Sequence, residues 1–305
     1  MAEAHIDDVP KKSGEDGIFL RDLGLGKIIS LFFSYLVDIL RYIARKPRSR
    51  FVPLTPGFLA NQFVYDRMRG NTFRIRLRNG IDWIIFDQIF LSEDYATHRF
   101  ARHYEALAYY RQATNSGKIP LILDCGGHVG LAAVYFSQTF PEAQVVSVEP
   151  NPGNYRQAVM NTAGRRVAVI NAAVASSPGR GTFLDPGFGS VAHRVKVDDS
   201  GEVPLVSIHD ILEKYPYQKF FPTVIKVDIE GFEADLFSAN TAWLKDFPLL
   251  IIELHDWMLI GSANSQNFLK VIAESGRDFA YFGENVFSFR NPRKPSKRDL
   301  EGKTP

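Results

Sequence analysis

Acidic residues and one histidine stand at the ends of short apolar segments, and these are the side chains with which the sequence could do chemistry. Asp124, Glu149 and Asp228 each end such a segment, Glu230 follows Asp228 by two positions, and His255 ends a fourth segment. Carboxylates can accept hydrogen bonds or hold a hard divalent cation, and a histidine can exchange a proton near neutral pH. The pattern predicts a site for acid–base chemistry.

The segments that position these side chains have the length of buried strands. They occupy residues 121–125, 144–150, 167–174, 223–229 and 249–255, and helical patterns lie between several of them, at 130–140 and 231–245. Apolar strands that alternate with helices are typical of a mostly parallel α/β sheet, Rossmann-like in architecture. Ligands of such sheets bind beyond the carboxyl ends of the strands, so we expect the acids to face one crevice. This domain is predicted to span residues 119–291.

A glycine-bearing turn follows the first of these strands and opens a helix. Glycines allow a sharp turn and close approach of the backbone to a ligand. Glu149 ends the next strand, where a carboxylate suits the two hydroxyls of an adenosine ribose. The predicted cofactor contacts are Asp124, Gly126, Gly127, Gly130, Glu149 and Ala173.

The spacing of the turn bears on which cofactor binds. It is GGxxG rather than the G-x-G-x-x-G of dinucleotide sites, and Asp124 beside it would repel a pyrophosphate. A carboxylate there favours a cationic ligand such as S-adenosylmethionine, which carries an ammonium and a sulfonium. Two alternatives stay open: Asp124 caps the following helix, or the cofactor is a nicotinamide dinucleotide.

Three residues form the predicted catalytic group: Asp228, Glu230 and His255. Two acids this close should raise one pKa, which suits acid–base work. Asp228 or His255 would take the proton of an acceptor hydroxyl, and Glu230 would orient the acceptor. Asp228 and Glu230 could equally hold a divalent metal. The structural alternatives are that the two acids cap the next helix and that His255 has no catalytic role.

The order of these motifs resembles the FkbM family of S-adenosylmethionine-dependent methyltransferases. The matching motifs are DCGGHVGL, VEPNP, VPLVSIHDIL, KVDIEGFE and IIELH, within residues 119–257. The resemblance implies a class I methyltransferase fold and O-methylation of sugars or natural products. It places Asp124, Gly126 and Gly130 on the cofactor loop, Glu149 at the ribose, and Asp228, Glu230 and Glu233 in the acidic motif. The sequence departs at Gly127 and His128, where the family more often has Ala-Asn.

The remaining segments are predicted as follows. Residues 1–26 and 292–305 are disordered tails, 27–50 is an apolar helix with a basic flank, and 51–118 is a small N-terminal subdomain with a hairpin at Asn79–Gly80 and a helix. The 27–45 stretch is too short and too charged to span a bilayer. It would dock on the enzyme body, form a homodimer contact or lie on an anionic membrane surface.

Composition limits the function classes. The net charge of +2 gives no general case for a nucleic-acid partner. A single cysteine, Cys125, cannot form an intrachain disulfide and fits a reducing compartment, so we expect a cytoplasmic protein, in one alternative peripheral to the inner membrane face. The predicted partner is a small-molecule or carbohydrate acceptor. Rival functions are a nicotinamide-dependent oxidoreductase and a non-catalytic cofactor-binding scaffold tethered by residues 27–45.

Overall fold

A computed structural model of the protein describes residues 29, 33, 35–37, 39–40, 49–57, 59–184 and 194–291. The chain separates into two compact units, residues 1–73 and 74–305. The predicted subdomain of residues 51–118 is therefore divided between them. The two predicted tails lie outside the described residues, as do the polar residues of the 27–45 stretch.

The larger unit is built on a seven-stranded mixed sheet. Its strands are β4 (Ile119–Cys125), β5 (Gln144–Val148), β6 (Val167–Ile170), β11 (Phe220–Val227), β12 (Leu249–Glu253), β13 (Asp278–Phe282) and β14 (Asn285–Phe289), in the order β13-β14-β12-β11-β4-β5-β6. Strands β12, β11, β4, β5 and β6 are parallel, and β14 runs antiparallel to both of its neighbours. This arrangement confirms the predicted Rossmann-like α/β fold.

Chain order reverses between the two central strands of this sheet. From β4 the chain adds strands on one side, β5 and then β6, and it later adds β11 and β12 on the other. Such a switch point opens a crevice at the carboxyl ends of the central strands. The central strands are mostly buried and rich in Val, Ile and Leu, as expected of parallel strands covered on both faces. Cys125 is fully buried within them.

The helices of the larger unit are short. They are α1 (Gly80–Phe86), α2 (His103–Asn115), α3 (Leu131–Thr139), α4 (Pro152–Thr162), α5 (Ile208–Glu213), α6 (Glu233–Leu236) and α7 (Gln266–Glu274). Helix α5 begins with a capping box in which the Ser207 and Asp210 side chains each bond the other residue's backbone N–H. Helix α4 begins at Asn151, whose side chain accepts from two backbone N–H groups, and carries proline in its first turn.

The hairpin predicted at Asn79–Gly80 is wrong. Strand β3 (Asn71–Arg76) ends before this pair, and Asn79 caps α1, its side chain accepting from the backbone N–H groups of Ile81 and Asp82. An asparagine suits an N-cap as well as a tight turn, so the dipeptide does not distinguish them. Side chains alternate along the segment that precedes the cap, since Phe73, Ile75 and Leu77 are buried and Arg74 and Arg76 are exposed.

A second, four-stranded sheet is formed by the strands that lie between β6 and β11 in the sequence. The run at 167–174, predicted as one strand, divides into β6 and β7 (Ala173–Ala175), and β7 joins a sheet of order β7-β10-β8-β9. Its other strands are β8 (Gly179–Leu184), β9 (Arg194–Val197) and β10 (Val203–Ser207). Nothing in the apolar pattern distinguishes two strands of different sheets from one longer strand.

The smaller unit contains a sheet of order β1-β2-β3, from β1 (Phe51–Pro53), β2 (Asn61–Asp66) and β3 (Asn71–Arg76), the last running into the second unit. Every described residue between 29 and 40 is helical. The Tyr35 hydroxyl donates to the Pro53 carbonyl at 3.1 Å. No helix among the described residues is long and apolar enough to cross a membrane. Docking, dimerisation and membrane contact through 27–45 stay predictions.

Candidate active site

Four adjacent strand ends surround one cavity of about 670 Å³. It lies at the carboxyl ends of β4, β5, β11 and β12, where chain order reverses, and its volume is within the range of small-molecule sites. Of the predicted site residues, Gly126, Gly127, Glu149, Ala173, Asp228, Glu230 and His255 line it. The structure thus brings together most side chains that the sequence pointed to.

The glycine turn packs tightly against the strands on both sides. A Cβ on Gly126, whose φ is +85°, would lie 1.6 Å from the Asp228 carbonyl oxygen, and one on Gly127 would lie 2.1 Å from the Ser147 hydroxyl. No larger side chain fits at either position. Gly130 adopts φ +83° at the start of α3 but does not itself line the cavity. The glycines therefore let bare backbone form this part of the cavity wall.

Glu149, just beyond the end of β5, is held by neutral hydrogen-bond donors. Its carboxylate accepts from the backbone N–H groups of His128 and Asn151, each at 2.9 Å, and from the Asn154 amide at 3.3 Å. The residue is 6% exposed. Burial raises its pKa to about 7, and the hydrogen bonds oppose that rise only in part. This end of the cavity presents a buried carboxylate with no cation beside it among the described residues.

Asp124 lies behind the cavity rather than in its wall. Its carboxylate is fully buried, accepts from the Ser147 hydroxyl at 2.8 Å and lies 3.3 Å from the Lys226 ammonium. Burial raises the pKa of Asp124 and the Lys226 charge opposes the rise. It does not cap α3, which has no side-chain cap. Asp124 is thus not among the residues that line the cavity, and its predicted contact with a cofactor stays a prediction.

Lys226 contacts both the glycine turn and the Asp228 carboxylate. Its ammonium donates to the Gly126 carbonyl at 2.7 Å and lies 3.2 Å from Asp228. Burial would lower its pKa, but the facing acids, Asp228 foremost, raise it well above the ordinary value. Sequence reasoning missed this residue. A single lysine inside the apolar run of β11 was the available signal, because a buried lysine requires an acidic partner.

His255 stands at the centre of a carboxylate cluster. Its Nε2 atom lies 3.6 Å from Asp228 Oδ1, 3.7 Å from Glu230 Oε2 and 3.6 Å from Glu253 Oε1. The imidazole is 2% exposed, whereas the side chains of Asp228, Glu253 and Glu230 are 26%, 18% and 31% exposed. Glu253 was not among the predicted catalytic residues. Its signal was the two-residue spacing to His255, which puts both on one side of an extended chain.

Glu233 holds the other side of the imidazole. The His255 Nδ1 atom lies 3.0 Å from Glu233 Oε1, and the Asn264 amide donates to Glu233 Oε2 at 2.7 Å. Backbone N–H groups of Ile229 and Gly231 also donate to this carboxylate. Because Glu233 is fully buried and acts only as an acceptor, Nδ1 carries the hydrogen and Nε2 faces the cluster.

Charge crowding shifts the ionisation of the cluster. Burial and the neighbouring Asp228 raise the pKa of Glu230 to about 7 and that of Glu253 to about 8. The pKa of Asp228 is lowered: burial opposes this, but Lys226 and His255 outweigh it. The raised pKa of Glu230 agrees with the prediction that one acid of the Asp228–Glu230 pair has a raised pKa. Neither acid caps α6, which has no side-chain cap.

The glycine turn, the Glu149 carboxylate and the acidic cluster follow one another in the order in which their motifs occur in the sequence. Residues 124–277, half of the chain, match the family described as "Methyltransferase FkbM domain". The chain belongs to this family. Its FkbM domain runs from the last residues of β4 through α7 and includes the cavity-lining residues of all four strand ends. Membership confirms the predicted resemblance to the FkbM methyltransferases.

The FkbM domain also has a curated relative. The hexuronic acid methyltransferase AglP of Haloferax volcanii is 28% identical over 138 residues, which cover 44% of this chain and 56% of the relative. The chain thus matches little more than half the length of that protein.

Similar solved structures are methyltransferases as well. The precorrin-6y C5,15-methyltransferase of Geobacter metallireducens is 10% identical, with a TM-score of 0.33 over 64% of this chain and 92% of that one. A Podospora anserina methyltransferase with bound SAH is 12% identical, with a TM-score of 0.35 over 64% of this chain and 80% of that one.

Proposed function

We propose that the chain is an S-adenosylmethionine-dependent O-methyltransferase that acts on a hydroxyl of a carbohydrate or natural-product acceptor. The observation that carries the proposal is one cavity with two chemically different ends, in an FkbM domain. A buried carboxylate, Glu149, lies at one end, and the cluster around His255 lies at the other.

The cavity fits S-adenosylmethionine by the chemistry of its lining. Glu149 would accept hydrogen bonds from the ribose hydroxyls, since its own donors leave room for further acceptance by a carboxylate. Gly126 and Gly127 line the cavity with backbone, because a side chain at either position would collide with the neighbouring strands. When bound, the cofactor supplies an electrophilic methyl group on a sulfonium, and the surrounding acids favour that positive charge.

Glu230 is the proposed general base, which takes the proton of the acceptor hydroxyl. It is the most exposed member of the cluster, so an acceptor can reach it. Asp228 is a weaker base because it pairs with Lys226, and the His255 imidazole is fixed by Glu233. This assignment exchanges the predicted roles, in which Asp228 or His255 was the base. The protein's further contribution is alignment, because transfer requires the oxygen and the methyl group in line and near contact.

The acceptor class is supported by the relative from Haloferax volcanii, whose described substrate is a hexuronic acid. The acids in the cavity are suited to hydrogen-bonding several hydroxyls at once, as a sugar ring presents them. We therefore favour a sugar or a hydroxylated natural product over an apolar acceptor.

Two measurements test the function. Calorimetric titration should show binding of S-adenosylmethionine and none of NAD(H); the reverse result would favour an oxidoreductase and overturn the proposal. Mass spectrometry of cell extract incubated with protein and isotopically labelled methyl donor should reveal an isotope-shifted hydroxylated metabolite. Cofactor binding without any labelled product over a broad acceptor panel would instead favour the scaffold alternative.

A further inference from the structure

The cluster around His255 has a geometry that the methyl-transfer assignment does not by itself require. One oxygen each from Asp228 and Glu253 and one nitrogen of His255 all lie within 4.8 Å of one another. All three residues line the cavity. Oxygen and imidazole nitrogen ligands on three residues, with further positions open to the cavity, are typical of a site for a divalent cation.

The imidazole is oriented as a metal ligand. His255 is 2% exposed, its Nδ1 is hydrogen-bonded to the buried Glu233, and its Nε2 makes no hydrogen bond, facing the oxygens at 3.6–3.7 Å instead. A histidine that binds a metal through one nitrogen characteristically donates the other N–H to a carboxylate, which fixes its tautomer and its direction. Glu233, itself held by Asn264 and two backbone N–H groups, is the carboxylate in that position.

The number of carboxylates around His255 also favours a cation site. Four carboxylates contact or approach one imidazole: those of Asp228, Glu230, Glu233 and Glu253. Lys226 pairs with one oxygen of Asp228, Oδ2, and is shared with Asp124, whereas Oδ1 faces the His255 imidazole. Such a concentration of acids is costly to bury without further positive charge.

We infer that Asp228, Glu253 and His255 form a site for one divalent cation of the Mn²⁺ or Mg²⁺ class, with Glu233 as its positioning residue. The site departs from the pair Asp228 and Glu230 that the sequence suggested, because Glu253 takes the third position. Glu230 remains free to accept a proton. The cation would bind the acceptor hydroxyl oxygen and lower its pKa; that role rests on the proposed function, whereas binding of the cation does not.

The test is direct binding of Mn²⁺ to the full chain, without methyl donor or acceptor. Chelator-treated protein is titrated with MnCl₂, with free Mn²⁺ followed by electron paramagnetic resonance and heat by calorimetry. One saturable site per chain is expected. The variants Asp228→Asn and Glu253→Gln should each weaken it by at least about tenfold, and Glu233→Gln by about 10- to 100-fold through loss of imidazole orientation.

The control variant is Glu284→Gln, which removes another carboxylate of the cavity wall that is exposed and outside the cluster. A specific site predicts a change of no more than about twofold, since exposed charges are screened. Equal losses for Glu284→Gln and Glu253→Gln would mean diffuse attraction and overturn the inference. So would the absence of saturable Mn²⁺ binding, or unchanged binding in both ligand variants. Circular dichroism melting verifies that each variant is folded.

Failure of this test leaves the proposed function standing, because methyl transfer by alignment and a carboxylate base needs no metal. Conversely, Mn²⁺ binding with the predicted variant pattern supports the site even if no methylated product is found. Competition by Mg²⁺ would then identify a hard-cation site, and displacement of Mn²⁺ only by Zn²⁺ would contradict the assigned cation class.

Discussion

The two ends of the cavity bury their carboxylates in different ways. At the glycine turn, Glu149 is satisfied by backbone and amide N–H groups, all neutral donors. At the opposite end, Asp228 and its neighbours are satisfied by the charges of Lys226 and His255. Neutral donors hold a carboxylate in place with capacity to accept more hydrogen bonds, whereas charged partners couple the ionisation of every group in the cluster.

The difference indicates a division of labour. A carboxylate fixed by neutral donors is suited to recognising hydroxyls that stay unchanged during the reaction. A cluster in which several groups share charge is suited to a step in which charge develops. Changes at the first end should therefore affect cofactor affinity, and changes at the second should affect turnover or stability.

The largest effect is expected from Glu230→Gln, which keeps the shape of the side chain and removes its capacity to take a proton. Turnover, measured as kcat, should fall by about 10²- to 10⁴-fold, the contribution typical of a general base. The dissociation constant of S-adenosylmethionine, measured by calorimetry, should stay within about threefold, a change in binding free energy smaller than that of a typical hydrogen bond. An unchanged kcat would mean that another member of the cluster takes the proton. A loss of cofactor affinity as large as the loss of kcat would mean that the two ends of the cavity do not have separate roles.

Lys226→Met is expected to destabilise the fold. It leaves Asp124 and Asp228 without their shared cation at a position where the lysine side chain is only 3% exposed. Breaking a buried ion pair by removing one partner costs about 3–5 kcal/mol, which urea unfolding would measure as a lower free energy of unfolding. The surface variant Lys219→Met should cost less than about 1 kcal/mol. A loss that small for Lys226 itself would show that the acids are stabilised by water rather than by this charge.

The contrast also explains which parts of the site could be predicted. Strand ends were found from apolar runs that stop at an acid, because burial makes a charged residue at such a position conspicuous. Asp228, Glu230 and His255 meet at the cavity for that reason. Lys226 lies within a run, not at its end, and its partners come from β4 and β11, so its role depends on strand register that sequence periodicity does not give.

Other parts depended on tertiary context. Ile81 and Ile85 of α1 line the cavity, although their segment was expected to form the second arm of a hairpin. Four or five apolar residues after an Asn-Gly pair fit a strand or a short helix equally well, and the cap hydrogen bonds of Asn79 decide between them. The division of residues 167–174 between two sheets was likewise set by pairing with β10, which lies some 30 positions further along the chain.

Glu149→Gln tests the other end of the cavity. The amide can accept through one oxygen only, so a charge-assisted hydrogen bond to the ribose is lost. Such bonds contribute about 1.5–3 kcal/mol, which corresponds to a cofactor affinity about 10- to 150-fold weaker. At saturating cofactor, kcat should change by less than about threefold, because uniform binding does not alter the chemical step. The exposed Glu142→Gln serves as the control, and a fall in kcat larger than the change in affinity would contradict the division of labour.

The smallest effect is a pH dependence of cofactor affinity. Burial raises the pKa of Glu149 to about 7 in the free protein, and the cofactor hydroxyls require its ionised form as acceptor. Affinity should therefore be full above pH 7 and fall as the pH drops through it, by about tenfold between pH 8 and pH 6 if binding requires the carboxylate alone. Neighbouring His128 does not contribute, because burial lowers its pKa to about 4 and it stays neutral in this interval.

Calorimetric titrations across this range would measure the slope, and the comparison with Glu149→Gln assigns it. In the variant, any dependence that remains comes from the His255 end, whose acids Glu230 and Glu253 titrate in the same interval. We expect most of the slope to disappear with Glu149. If the variant keeps this pH dependence, the cluster's ionisation controls how strongly the positive charge of the cofactor is bound. The two ends of the cavity would then act on the cofactor as one electrostatic unit.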